Sequence, residues 1–201
     1  MTWVGKSLRR KEDDRLIRGN GLFADDEISA DMLHLYILRA PYAHARIKSI
    51  DTTAAEALPG VACVLTGADV KAQCEPFMQL GPDPANKIID LPLATDKTLY
   101  QGHPVAAVAA TSAALAMDAG LMIEVDYDML DAVVDPEQAL ADGVVLHEAA
   151  GTNRTWHGVW DCGNVDQVFF LIIQRPPRAR LDVTLFPCTT LEASACVAEW
   201  N

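Results

Sequence analysis

Paired cysteines are missing from this chain. Its five cysteines, Cys63, Cys74, Cys162, Cys188 and Cys196, are odd in number and none forms a C-x-x-C pair. That spacing argues against a disulfide framework, a zinc knuckle or an iron–sulfur site within the chain, and leaves buried free thiols as the expectation. Long apolar runs are missing too. No stretch of about 18 uncharged apolar residues occurs, so no membrane span is expected. Positive charge is scarce: 16 Lys and Arg against 28 Asp and Glu leave a net charge of −12. Such a surface repels phosphates, which argues against nucleic acid or an anionic membrane as partner and favours plain solubility as the meaning of the charge. A secretory leader is not expected, because Arg9-Arg10-Lys11 is followed by Glu12-Asp13-Asp14 and not by an apolar block. The expectation is a cytoplasmic protein.

What is present suffices for a core. Half of the 201 residues are apolar, enough for one ordinary domain, or one domain with a fragment of another. Residues 1–31 are polar and turn-rich, and read as an irregular arm with short extended pieces. Met32 to Arg39 reads as a strand with both faces fairly apolar, hence covered on both sides. Ala45 to Ile50 is a second strand. Asp51 or Thr52 caps a short helix that Pro59-Gly60 ends. Val61 to Leu65 reads as a buried strand, and Thr66 to Val70 as a turn or short helix. Residues 72–92 read as a long proline-bearing loop, and Thr98 to Tyr100 as a short strand.

Val105 to Ala110 is a strand whose small side chains predict close packing by a helix. That helix follows from a Ser112 cap to Leu121, with Gly120 weakening its end. Met122 to Tyr127 alternates, with Glu124, Asp126 and Asp128 on one face, where three carboxylates could bind a hard cation but a solvated face is the favoured reading. Asp135-Pro136-Glu137-Gln138 opens a last helix, and Gly143 ends it. The order of elements predicts an α/β (α+β) domain with helices packed on a mixed sheet.

Few groups suggest a self-contained active site. His34 and His44 have no standard metal-ligand spacing, and His44 is expected to bond locally in its turn. His103, beside Pro104, reads as a turn residue. No G-x-S-x-G elbow or phosphate loop is present. Gly19-Asn20-Gly21-Leu22-Phe23-Ala24 fits the loose form of a dinucleotide fingerprint, but a charged arm precedes it and acids follow, so it reads as a turn. A hydrolase built on His44 and a carboxylate has no motif behind it.

Read together, the blocks are more specific. Val4-Gly5-Lys6-Ser7-Leu8, Arg10-Lys11-Glu12-Asp13, Arg15-Leu16 and Gly19 to Asp26 resemble the opening of molybdenum hydroxylase large subunits. Arg39-Ala40-Pro41-Tyr42-Ala43-His44-Ala45-Arg46-Ile47 is similar to that family's R-S-P-H-A-H-A-R-I. Leu58-Pro59-Gly60-Val61 with Val64-Leu65-Thr66, Gly102-His103-Pro104-Val105, Glu124-Val125-Asp126-Tyr127 and Val134-Asp135-Pro136 continue the series in order. The family is that of xanthine dehydrogenase, aldehyde oxidase and aerobic carbon monoxide dehydrogenase. The resemblance implies an arm at residues 1–31 and an α/β hammerhead domain at 32–148. It further implies a linker with a truncated start of the molybdopterin-binding domain at 149–201.

The resemblance also implies an oxidoreductase that, when complete, hydroxylates or oxidises a small substrate such as an aldehyde, an N-heterocycle or CO. The molybdopterin (molybdenum cofactor) is expected on the rest of the large subunit and not on this chain alone. Iron–sulfur clusters and FAD are expected on partner subunits or domains. No catalytic, cofactor-binding or metal residue is assigned here, and Glu192 is not at the family's catalytic position. Arg10, Arg15, Asp26, Arg39, His44 and Arg46 are expected to be structural or interfacial, with local salt bridges and turn bonds as the competing account.

This sequence departs from the pattern at Ala40 and Tyr42, in place of Ser and His, and at Phe170 to Arg178. Either that last run is a divergent loop, or it is an out-of-frame stretch of a degraded gene. A second class of reading stays open: a stand-alone, non-catalytic assembly module or a truncated gene relic.

Overall fold

The structure, a computed structural model, describes residues 4–77, 81–88, 90–160, 162–164 and 195–199. Phe170 to Arg178 and Glu192, and with them the frame-slip question, lie outside the described residues. The chain divides into two compact units, Met1–Met32 with Asp166–Asn201, and Leu33–Val165.

In the first unit the expected extended pieces are replaced by two helical turns, α1 (Asp13–Ile17) and a 3-10 turn at Ala24–Asp26. The acids explain both. Asp13 and Asp14 occupy the first turn of α1, where a helix N-terminus favours negative charge. Asp14 also holds Arg18 at 2.9 Å. Asp26 Oδ2 accepts the backbone N–H of Phe23 at 3.0 Å and so closes the 3-10 turn.

The second unit runs β1 (His34–Arg39), β2 (Ala45–Asp51), α2 (Thr53–Glu56), β3 (Val61–Thr66), α3 (Gly67–Gln73), a 3-10 turn (Ala85–Lys87) and β4 (Lys97–Thr98). It continues with β5 (Pro104–Ala110), α4 (Ala113–Leu121), β6 (Glu124–Met129) and α5 (Pro136–Ala139). The expected α/β class with packed helices is found. The strands do not form one mixed sheet, however. They divide into two antiparallel sheets, ordered β1-β5-β3 and β4-β2-β6. The cause lies in the connections: the 40–44 turn carries the chain from one sheet to the other, and α4 does the same between β5 and β6. No crossover returns to its own sheet, so no parallel pair arises.

The core forms where α2 and α4 cover one face of the β1-β5-β3 sheet. Ala55, Ala106, Val108, Ala119 and Ile123 are buried there, with Leu38, Leu58 and Val64 packed against them. The small residues of β5 let α4 approach closely, as expected. Gly120 has a role beyond weakening the helix end: the ring of Tyr36 occupies the space a Cβ on residue 120 would need. Ser112 Oγ caps α4 by accepting from Leu115 N–H at 3.2 Å. Asp135 Oδ1 caps α5 by accepting from Glu137 and Gln138 N–H at 2.8 and 3.0 Å. α5 stops at Ala139, short of Gly143.

On the opposite face of the same sheet, Ala107 packs with Val70 of α3 and Leu93. Leu35 stays 65% exposed, contrary to the expectation that β1 is covered on both sides. Among the described residues, no helix is long and apolar enough to cross a membrane.

Candidate functional site

Polar groups from several elements of the Leu33–Val165 unit line a cleft of about 470 Å³. β2 contributes Arg46 and β4 contributes Lys97. The turn before β5 adds His103, and the segment after α5 adds Leu146, His147 and Glu148, with Asp90 and Asp96 from the loop between. Lys97 is the clamp of this cleft. Its ammonium donates to Glu148 Oε1 and Oε2 and to the Leu146 carbonyl, each at 2.6 Å. That bond holds the Glu148 carboxyl below its ordinary pKa, helped by the residue's own backbone N–H.

His103 closes a turn, as expected, its N–H donating to the Tyr100 carbonyl at 3.2 Å, and its buried ring stacks on Tyr100 with centroids 4.5 Å apart. Gly102 makes the turn possible by adopting φ 88°, a left-handed backbone that favours glycine. Leu99 N–H donates to His103 Nδ1 at 3.2 Å, so the neutral ring carries its proton on Nε2. Burial pushes His103 below the ordinary imidazole pKa; Asp90 opposes the shift and His147 adds to it. Burial does the same to His147, with Lys97 adding and Asp90 and Glu148 opposing.

The expected site residues separate. Arg10, Arg15 and Asp26 belong to the first unit. Arg10 is exposed and pairs locally with Glu12 at 3.3 Å, and Arg15 lies in the last turn of α1. Asp26 holds its turn, as described. Arg39, His44 and Arg46 belong to the second unit. Arg39 Nη1 donates to the Gly102 carbonyl at 2.9 Å, tying β1 to the His103 turn. His44 does not bond locally. Its buried Nδ1–H donates to the Asp131 carbonyl at 2.7 Å, 87 residues along the chain, while Nε2 is buried without a hydrogen-bond partner among the described residues. Arg46 lines the cleft.

The two departures in the R-S-P-H segment are packing residues here. Ala40 is buried, and its backbone exchanges hydrogen bonds with Gly102 and His103. Tyr42 meets Tyr127 edge-on at 5.3 Å. The expectation of buried thiols is overturned: Cys63, Cys74, Cys162 and Cys196 are free and exposed. Cys63 lies on the sheet face that the described residues cover only in part, and Cys74 just past the end of α3. Cys188 lies outside the described residues.

This cleft does not fit a phosphate-bearing pterin. Lys97 is neutralised by Glu148 and Lys87 by Asp83, leaving Arg46 and Lys71 balanced by Asp90 and Asp96 with no surplus of cations. Among the described residues, no three His, Cys, Asp or Glu side chains converge to hold a metal ion.

The two antiparallel sheets with α2 and α4 between chain reversals define an α/β hammerhead domain. Residues 18–131 match the family model described as "Aldehyde oxidase and xanthine dehydrogenase, a/b hammerhead domain". The chain belongs to the aldehyde oxidase and xanthine dehydrogenase family. It is 37% identical over 205 aligned positions to the carbon monoxide dehydrogenase large chain of Hydrogenophaga pseudoflava, covering 95% of this chain and 25% of that one. It is similar to the crystal structure of quinoline 2-oxidoreductase from Pseudomonas putida 86, with TM-score 0.64 and 40% identity over 71% of this chain and 18% of that one. Against the Cu,Mo-CO dehydrogenase structure the TM-score is 0.59, with 42% identity over 68% of this chain and 17% of that one. The chain spans 18% to 25% of the length of four curated relatives that it matches.

Proposed function

We propose that this chain is the hammerhead part of a molybdenum hydroxylase large subunit, and that it supports catalysis done elsewhere in the enzyme. The observation that carries the reading is the family match over residues 18–131 in a chain covering only a quarter or less of its relatives' length. A cleft in which Lys97 is already committed to Glu148, and Lys87 to Asp83 beside it, also suits a structural role. The complete enzyme hydroxylates or oxidises a small substrate, with aldehydes, N-heterocycles and CO as the classes. Its molybdopterin sits on the remainder of the large subunit, and iron–sulfur and FAD partners carry electrons away in the cytoplasm. The domain itself extends over 32–148, between the 1–31 arm and the 149–201 linker with the start of the next domain. Arg10, Arg15, Asp26, Arg39, His44 and Arg46 are structural or interfacial in this reading.

Molybdenum and pterin analysis tests it, on the purified chain alone and on the chain co-expressed with the products of the neighbouring genes. The expected result is no stoichiometric molybdenum on the chain alone and stoichiometric molybdenum on a co-purifying assembly. Stoichiometric molybdenum on the isolated chain overturns the reading.

A further inference from the structure

The turn at Gly19-Asn20-Gly21 brings a side-chain amide beside an unshielded backbone nitrogen. Asn20-Gly21 is the only Asn-Gly pair in the chain. Glycine has no Cβ, so nothing on residue 21 screens its nitrogen from the side chain before it. Gly19, at φ 73°, turns the chain out of α1. Gly19 N–H donates to the Leu16 carbonyl at 3.2 Å and Asn20 N–H to the Arg15 carbonyl at 2.8 Å, which closes the helix end. The anchoring stops there. Among the described residues, no hydrogen bond holds the Asn20 side chain or the Gly21 N–H. Asn20 is exposed, and residues 20–23 are in neither helix nor strand.

We propose that Asn20 is a site of spontaneous deamidation, with water as the co-reactant. The Gly21 nitrogen attacks Cγ of Asn20. An N–Cγ bond forms, the Cγ–Nδ2 bond breaks, and ammonia leaves with the proton that Gly21 gives up. Water then opens the five-membered succinimide. Cleavage of the new N–Cγ bond gives aspartate. Cleavage of the original backbone C–N bond gives isoaspartate, whose main chain runs through Cβ and Cγ. Nothing is oxidised or reduced: an amide and water become a carboxylic acid and ammonia. Either product adds one negative charge to a chain that carries −12. The charge falls just past the C-terminal end of α1, where a helix disfavours an anion.

The fold treats the other pair open to succinimide chemistry differently. Asp142-Gly143 is the only Asp-Gly pair in the chain. Asp142 Oδ1 accepts the Asn153 N–H at 2.7 Å, and Oδ2 accepts the Thr152 hydroxyl at 2.8 Å. Those bonds, the one from Asn153 foremost, hold the carboxyl ionised and below its ordinary pKa. A carboxylate is a poor target for a nucleophile, so Asp142 is locked while Asn20 is open.

The test incubates the full chain at neutral pH in water enriched in heavy oxygen, once folded and once in urea. Tryptic peptides are then weighed; the one spanning 19–39 carries Asn20 as its sole asparagine. The folded chain should deamidate at Asn20, with uptake of heavy oxygen, within about threefold of the rate in urea, because a segment without local structure opens at almost no cost. Heavy-oxygen uptake at Asp142 should be about tenfold or more slower folded than in urea. Gly21→Ala should slow the Asn20 reaction on the order of tenfold, equivalent to about 1.4 kcal/mol on the barrier. The added Cβ meets only the ends of the Leu16 and Phe23 side chains, at 2.9 and 3.4 Å, so the turn can accommodate it. An Asn20 that stays intact in the folded chain while the urea-treated chain converts overturns the proposal. So does a Gly21→Ala chain that converts at the wild-type rate, since attack by the residue 21 nitrogen would then not be the route. Equal uptake at Asp142 in the fold and in urea overturns the selectivity assigned to Thr152 and Asn153.

Discussion

Lys97 and Glu148 stand 51 residues apart in sequence and meet at 2.6 Å, so one ion pair fastens β4 to the segment that follows α5. The lysine is mostly buried, with 17% of its side chain exposed, whereas Glu148 is 73% exposed. Solvent and salt therefore discount the pair to about 0.5 kcal/mol. Glu148 has a lowered pKa in the fold, so its contribution is present above the ordinary glutamate range and is lost as pH falls through the lowered folded value. Glu148→Gln is expected to lower stability by that small amount at neutral pH and to flatten this part of the acid limb. Urea titrations from neutral to acid pH check it; an unchanged acid limb in the variant refutes the assignment.

Gly120→Ala gives a prediction whose sign separates two physical effects. Helix propensity alone says that alanine stabilises the end of α4 by about 1 kcal/mol. Packing says the reverse, because the Tyr36 ring fills the space of the added methyl group. The half-buried Tyr36 lies in the middle of β1, opposite Val108, and the contact involves Cδ1 and Cγ near the base of the ring, so moving the ring tip alone does not relieve it. The expected outcome is a loss of about 1–3 kcal/mol, the usual result of overpacking a filled core. Chemical denaturation of Gly120→Ala, and of the double variant with Tyr36→Leu, measures it. Relief of most of the loss in the double variant identifies the ring as the cause.

Local chemistry made much of the hammerhead unit legible. Ser112 and Asp135 cap the helices they were expected to cap, because an N-cap needs only the residue itself and the backbone two or three positions on. The alternation of Glu124, Asp126 and Asp128 likewise placed all three on an exposed face. Features set by distant partners were not legible. His44 bonds to Asp131 and Arg39 to Gly102, and neither separation leaves a periodic trace in the chain. The cleft was not legible for the same reason, since Lys97, His103 and Glu148 come from β4, the turn before β5 and the segment after α5. The division into two antiparallel sheets depends on which strand each turn hands the chain to, and apolar alternation does not encode that. Cys63 shows the opposite failure: thiols are usually buried, yet this one is exposed on a face that the described residues cover only in part.

His103 and His147 set a second, separate pH dependence. Burial is the leading cause of the lowered pKa in both rings. The unfolded chain therefore binds protons at these positions before the folded chain does. Stability falls as pH drops through the ordinary imidazole value of 6.5, and the fall levels off below the lowered folded values. This window lies above the one governed by Glu148. Following the imidazole resonances by NMR is expected to show both rings titrating below an unstructured histidine, and His103→Gln is expected to shallow the decline. A His103 ring that titrates at or above the ordinary value contradicts the argument.

Asn153 offers the most direct test of what shapes the segment carrying Glu148. Its Oδ1 accepts the Leu146 N–H at 3.0 Å, and its Nδ2 donates to the carbonyls of Val144 at 2.7 Å and Ala139 at 3.2 Å. One amide thus serves the end of α5 and both sides of the bend that aims Leu146 and Glu148 at Lys97. Asn153→Ala leaves three half-buried backbone groups without that partner, and a loss of about 1–3 kcal/mol is expected. Asn153→Asp keeps the acceptor for Leu146 but has no N–H to donate, so its loss should fall between wild type and alanine. Hydrogen exchange at the Leu146 amide distinguishes the two: fast in the alanine variant and protected in the aspartate variant. Equal protection in all three proteins would mean that the bend is held by other contacts and that Lys97 finds Glu148 without this amide.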